Sequence, residues 1–295
     1  MQATDFEELF TPRDFLRYAV TNFENSKIAL GQGCATLLDE AVYLIAGVLK
    51  LPNESMDYFW DARLLRTERK ALQAAILQRC AHVPTAYITG TAFLAGYQFC
   101  AEKGAIIPRS FIAELLEERL EPWLADPDAD LKILDLCTGQ GSLAIIAAHN
   151  FPRAHIDAVD ISADALKIAQ KNVDFYNLND RIHLILGDSF SAAENQKYDV
   201  ILCNPPYVAD FAMETLPPEF HVEPRLALSG GADGLDFVRP LLKNAKKHLA
   251  AGGILIVEIG HNKAALEAAF PNLPFIWLET AGFDDYVFLL NADDF

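Results

Sequence analysis

The stretch "LKILDLCTGQGSLAI", residues 131–145, decides the fold. It joins an apolar run (Ile133, Leu134, Leu136) to a loop carrying Gly139 and Gly141, and then to a helix-forming segment. A strand that ends on glycines and passes directly into a helix turns backbone amides toward any ligand placed at that helix start. Outward from here the same unit repeats. "HIDAVD", "IHLILGD", "YDVILCN" and "GGILIVEIG" predict further strands. "GSLAIIAAHNF", "SADALKIAQKNVDFYN" and "GLDFVRPLLKNAKKHLA" predict the helices between them. This alternation implies an α/β fold with a doubly wound, Rossmann-like parallel sheet, whose ligands lie at the carboxyl ends of the strands. The tail "FIWLETAGFDDYVFLLNAD" predicts two short strands and an antiparallel close to the sheet.

Upstream the periodicity changes. Residues 5 to about 80 read as successive helices; in "TPRDFLRYAVTNFENS", Thr11 is a candidate N-cap, Pro12 the first helical residue, and Phe15, Ala19 and Phe23 share one face. "GCATLLDEAVYLIAGVLK" and "SMDYFWDARLLRTERKALQAAILQRCAHVP" supply further helices of a small bundle. "AYITGTAFLAGYQFCAEKGAIIP" has glycine punctuation and short aromatic runs, predicting a hairpin. "SFIAELLEERLEPWL" predicts a helix capped by Ser110 with Glu114 in its early turn. The expected domains are a helical substrate-recognition domain over 1–85, a β-hairpin connector over 86–108 and a catalytic domain over 109–295.

With 52% hydrophobic and 22% charged residues in a chain of 295, the composition is that of a globular protein with one or two domains. The acidic start "MQATDFEELF" lacks the pattern of a signal peptide, and "ATLLDEAVYLIAGVLK" is interrupted by Asp39 and Glu40, so no membrane span is expected. Five cysteines without CxxC spacing argue against a disulfide framework and for a cytoplasmic location, and seven histidines without ligand spacing lead us to assign no metal. Charge is unevenly spread. Residues 1–108 carry 10 basic and 12 acidic side chains, whereas 109–295 carry 14 and 29. Such a field disfavours direct nucleic-acid binding and favours a basic partner.

Three strand ends point to an adenosyl ligand. Gly139 and Gly141 permit close backbone approach; Asp160 lies 19 residues past Gly141, where a carboxylate can accept from a ribose; Asp188, Ser189 and Phe190 end the next strand beside a base pocket. On the loop alone a nicotinamide dinucleotide fits equally well, because Gly139-x-Gly141-x-x-Ala144 satisfies that loose fingerprint. The fourth strand decides. "YDVILCNPPYVADF", residues 198–211, ends a core strand on Asn204, Pro205, Pro206 and Tyr207, for which a dehydrogenase has no use. An amide nitrogen is a poor nucleophile, since its lone pair is delocalised into the carbonyl. A catalyst acting on it must orient the NH2 group and hold it in line with a methyl donor. The Asn204 side-chain oxygen and the Pro205 carbonyl each offer an acceptor, the prolines fix both, and Tyr207 offers a flat surface. This is catalysis by positioning.

"DLCTGQG", "VDIS", "GDSF" and "NPPY", in this order, resemble the class I methyltransferases that modify planar nitrogens. More narrowly, "AYITGTAFLAGYQF", "IIPRSFIAELLEERLEPWL" and "EFHVEPRLALSGGADGLDFVR" are similar to segments of the bacterial protein-(glutamine-N5) methyltransferases, over nearly the whole chain. The resemblance implies S-adenosyl-L-methionine as cofactor, S-adenosyl-L-homocysteine as product, and a glutamine bound by Asn204 to Tyr207. It also implies cofactor contacts from Cys137, Thr138, Gly139, Gln140, Gly141, Asp160 and Ser189. Asp135, Ile161, Asp188 and Asn204, at the same strand ends, complete the candidate cofactor set. Cys137 departs from the glycine found in many relatives. "PRSFIAEL" resembles the branch acting on ribosomal protein L-three of the large subunit; the alternative substrate is the Gly-Gly-Gln glutamine of peptide release factors. Two remoter readings are a DNA adenine methyltransferase, which the acidity disfavours, and a non-catalytic adaptor, which the intact Asn204-Pro205-Pro206-Tyr207 disfavours.

Overall fold

The computed structural model describes residues 5–193, 196–281 and 283–295. Residues 1–4 of the acidic start therefore lie outside it. The chain divides into two compact units. One comprises residues up to Ala92 together with Ala101–Lys103 and Pro217–Val222; the other comprises Phe93–Cys100, Gly104–Leu216 and Glu223–Phe295.

In the first unit, helices α1 (Pro12–Ser26), α2 (Leu37–Leu49), α3 (Arg66–Cys80) and the short α4 (Thr85–Thr89) follow one another. The start of α1 forms as expected. Thr11 Oγ1 accepts the Asp14 amide at 3.2 Å, and the Asp14 carboxylate accepts the Thr11 amide at 2.9 Å. Phe15, Ala19 and Phe23 pack with Leu44, Ile45, Leu72 and Ile76 in one apolar core. Arg79, 1% exposed, is fully buried here. Its charge is met by Glu40 at 2.6 Å and by Glu219 at 3.0 Å, as a buried cation requires. Glu219 reaches this unit from far down the chain, which no sequence pattern announced.

The connector differs in part from expectation. Residues 85–89 are helical, and the hairpin is confined to β1 (Thr91–Leu94) and β2 (Tyr97–Cys100). The next helix, α5 (Ile112–Glu117), is shorter than the expected run to Leu124. Arg119 and Leu120 both adopt φ 57°, and Leu120 is buried. Pro122 disfavours helical geometry at the residue before it, so the chain breaks off early.

The second unit is built on a seven-stranded sheet, ordered β5-β4-β3-β6-β7-β9-β8. Its strands are β3 (Lys132–Leu136), β4 (His155–Asp160), β5 (Ile182–Leu186), β6 (Tyr198–Cys203), β7 (Leu249–Glu258), β8 (Ile276–Thr280) and β9 (Phe283–Asn291). Strands β3 to β7 pair in parallel, and β9 runs antiparallel to β7 and β8. The crossover helices are α6 (Ser142–Asn150), α7 (Ala163–Phe175) and α9 (Val238–His248), with short α8 (Asp210–Met213) and α10 (Lys263–Ala269) beside them. Alternate side chains of each strand enter different cores. Ile133, Val200, Leu202, Ile254 and Ile256 face one cluster, while Leu134, Ile201, Cys203, Leu255 and Val257 face the other. A sheet covered on both faces has no polar side, which explains the unbroken apolar runs in the sequence. Strand order reverses where β3 is flanked by β4 and β6, so the crevice for a ligand lies at the carboxyl ends of β3 and β6. Among the described residues no helix is long and apolar enough to cross a membrane.

Candidate active site

The loop after β3 is a cradle of fixed amides. Asp135, buried near the end of the strand, accepts Thr138 Oγ1 at 2.6 Å and the Ala144 amide at 3.1 Å, both on Oδ2. Its Oδ1 has no partner among the described residues. Burial pushes this carboxyl up to about 7. Cys137, Gly139 and Gly141 adopt φ 58°, 58° and 81°. Cys137 therefore occupies a left-handed position at a cost of roughly 1–2 kcal/mol, which glycine would avoid. The Thr138 amide donates to the Val159 carbonyl at 3.0 Å, and Gln140, buried, has its carbonyl held by Asn172 Nδ2 at 2.9 Å.

Asp160 ties the loop to the next strand. One oxygen accepts the Gly139 amide at 2.8 Å and the other accepts the Ser162 amide at 2.8 Å. Each oxygen keeps a further lone pair for a ligand hydroxyl. Ile161, 56% exposed, offers apolar surface beside it. Asp188 is exposed, and Ser189 sits at φ 50°. Phe190, expected beside a base pocket, is instead a core ring stacked on His248, with centroids 4.2 Å apart and planes 3° from parallel. His248, the last residue of α9, claims that ring.

At the end of β6, Asn204 and Tyr207 are held from several sides. Asn204 Nδ2 donates to the Arg109 carbonyl at 3.0 Å. A carbonyl only accepts, so this contact fixes the NH2 end and leaves Oδ1 on the opposite side of the amide. Tyr207 donates its hydroxyl to Glu258 Oε1 at 3.0 Å. The other oxygen of Glu258 accepts Ser110 Oγ at 2.7 Å and the Phe111 amide at 2.9 Å. Burial pushes both the Tyr207 phenol and the Glu258 carboxyl upward. The Tyr207 ring rests on Gly260, where a Cβ would come within 2.8 Å of Cε2. Its carbonyl accepts Asn262 Nδ2 at 2.7 Å. The following residue, Val208, donates its amide to the Leu228 carbonyl and accepts the Gly230 amide, at 2.8 Å each.

The structure brings the two groups of residues expected from the sequence to the ends of adjacent strands, β3 and β6; their supports were not foreseen. Glu258, Arg109, Glu223, Asn262 and the glycines at 234 and 260 were assigned no role. Glu258 did carry a signal: it is a lone acid near the end of the core run "GGILIVEIG", at a carboxyl strand end. Arg109 acts through its backbone carbonyl, which no side-chain pattern reveals. Ser110, expected as a helix cap, does accept the Ile112 amide at the start of α5 at 3.2 Å, and its hydroxyl also donates to Glu258.

The arrangement suits an adenosyl cofactor carrying a cation. The unpartnered buried oxygen of Asp135 would take an ammonium or N–H group, Asp160 a hydroxyl pair, and a Cβ at Gly139 would meet only Ile106 at 3.7 Å, leaving room for close approach.

Comparison with known proteins agrees with this chemistry. A family model described as "Methyltransferase small domain" matches residues 113–220. The chain is 48% identical over 294 residues to a ribosomal protein uL3 glutamine methyltransferase of Bordetella pertussis, covering 99% of each chain. It is 48% identical over 288 residues to the protein of that name from Neisseria meningitidis serogroup B, covering 97% of this chain and 95% of the relative. A third, from Burkholderia pseudomallei, is 45% identical over 292 residues, covering 96% and 95%.

Proposed function

The chain belongs to the ribosomal protein uL3 glutamine methyltransferase family, and from that premise we propose that it methylates the side-chain amide nitrogen of a glutamine in ribosomal protein uL3. S-adenosyl-L-methionine, when bound, supplies an electrophilic methyl group on a sulfonium. The protein supplies position. We assign Asp135, the 137–141 loop, Asp160, Ile161, Asp188 and Ser189 to cofactor binding, and Asn204, Pro205, Pro206 and Tyr207 to the glutamine, with Asn204 bordering both.

The observation that carries this reading is the fixed orientation of Asn204. Its Nδ2 is committed to the Arg109 carbonyl, so Oδ1 faces a substrate N–H group. With the Pro205 carbonyl as second acceptor, both amide hydrogens are held and the nitrogen lone pair is aimed out of the amide plane. Tyr207, seated on Gly260 and tethered to Glu258, covers the flat face. No strong general base is needed, because the nitrogen becomes cationic on transfer and sheds its proton to solvent. Preorganised acceptors of this kind contribute through the transition state rather than through substrate binding. Transfer of labelled methyl to purified uL3 by the full chain, and its loss in Asn204→Ala, tests the assignment. Label that persists in Asn204→Ala would contradict it.

The helical domain would select the substrate, and the acidity of residues 109–295 would attract a basic ribosomal protein. Such a protein is made in the cytoplasm, where we place the enzyme. Raising salt should then raise KM for uL3 while leaving the cofactor Kd unchanged. A salt-independent KM would refute electrostatic capture.

A further inference from the structure

We propose that Glu223 is a positioning residue for methyl transfer: acting through Arg109, it fixes which end of the Asn204 amide faces the reacting glutamine. This rests on the reading of Asn204 given above and extends it to a residue remote from the motif in sequence.

The side chain of Glu223 is wholly buried. Its two oxygens each lie 2.9 Å from Arg109 Nη1, and Oε2 also accepts the Ile107 amide at 3.0 Å. One carboxylate thus grips the chain on both sides of Pro108. On the other flank, Ser110 Oγ and the Phe111 amide are held by Glu258. The Arg109 carbonyl lies between these two anchors, and it is the acceptor of Asn204 Nδ2. If Asn204 turned over, its oxygen would oppose that carbonyl and the pair would repel. The direction of the catalytic amide therefore depends on where the Arg109 carbonyl stands.

A wholly buried carboxylate paired with a partly buried guanidinium is an expensive way to hold a loop. Apolar groups of similar volume pack as well or better where stability alone is at stake. What the pair adds is a defined position: both carboxylate oxygens close on one guanidinium nitrogen while Oε2 also holds the Ile107 amide, which sets the backbone between them.

The test uses the full chain, labelled cofactor and purified uL3. Glu223→Gln keeps the side-chain shape and removes the charge. We expect kcat to fall by about tenfold or more, since small misplacement of an orienting group is costly in rate. The cofactor Kd should stay within about twofold of the parent, because the β3 loop is untouched. The decisive readout is the double variant. If Glu223 acts through Asn204, adding Glu223→Gln to Asn204→Ala lowers kcat no further, whereas a merely structural role would multiply the two losses. Arg109→Lys, which keeps the charge but loses the shared grip, should behave in the same way and decides the matter if Glu223→Gln melts below the assay temperature. A wild-type kcat in Glu223→Gln, with Asn204→Ala impaired, would overturn the role of Glu223 alone. Multiplying losses would do the same. Normal turnover in Asn204→Ala would overturn the motif reading and this extension together.

Discussion

The Tyr207 hydroxyl donates to Glu258 Oε1 at 3.0 Å, joining the last residue of the motif to the carboxyl end of the neighbouring strand β7. Among the described residues the Glu258 carboxylate has three donors, from Tyr207, Ser110 and Phe111. Tyr207→Phe keeps the ring on Gly260 and deletes one of them. We expect it to weaken turnover by about 1.5–3 kcal/mol, the usual scale for a hydrogen bond to a charged acceptor. Tyr207→Ala, which removes the ring as well, should cost clearly more. Steady-state kinetics of both variants check this, and equal losses would show that the hydroxyl alone matters.

Asn204→Ala should leave the fold and cofactor binding largely intact and raise the barrier of the chemical step by roughly 2–4 kcal/mol, by analogy with removal of one preorganised polar contact. Single-turnover rates alongside calorimetric cofactor binding separate the two effects. A loss seen only in cofactor binding would move Asn204 out of the substrate site.

Gly234 has no room for a side chain. At φ +80°, a Cβ there would stand 2.4 Å from the Tyr207 carbonyl and 2.4 Å from Asn262 Nδ2. Gly234→Ala should therefore displace the backbone behind Tyr207 and destabilise the protein by about 2 kcal/mol, combining left-handed strain with overpacking. Urea unfolding and turnover together test it. Parent-like stability and activity would mean that this loop yields freely.

Much of the fold was legible because its signals are local. Val200 to Cys203 and Ile254 to Val257 are apolar on both faces, as are Ile133, Leu134 and Leu136 around Asp135, which only a doubly covered sheet demands. Gly139 and Gly141 mark the turn by their left-handed angles, and Asp160 was correctly placed beside them. The supports were not legible, because they act across long stretches of chain. Arg109 meets Asn204 through a backbone atom; Glu223 meets Arg109 across more than a hundred residues; Glu219 joins the helical unit. Phe190 was misplaced because strand-end position says nothing about which way a ring turns, and α9 offered it a partner in His248.

Asp135 should give the ligand-free protein a distinctive pH response. Burial raises its carboxyl from 3.8 to about 7 in the folded state. The folded form then holds its proton more tightly than the unfolded form. The resulting stabilisation is complete below the unfolded value and is lost as pH rises through about 7. Asp135→Asn lacks this term. Melting curves of the two proteins should diverge across that window, with the parent falling relative to the variant. Parallel curves would contradict the raised value. A cation bound at the free Oδ1 would oppose the trend, so cofactor affinity should increase over the same range.

The most direct measurement offers the purified full chain methyl-labelled S-adenosyl-L-methionine, with ribosomal protein uL3 and a peptide release factor as parallel substrates, and locates the label by peptide mass spectrometry. The expected result is label on the side-chain nitrogen of a glutamine in uL3, absent from the release factor and lost in Asn204→Ala. Label confined to the release factor would keep the amide chemistry and overturn the substrate. Label on neither, with cofactor demonstrably bound, would contradict the proposal that this chain is a uL3 glutamine methyltransferase.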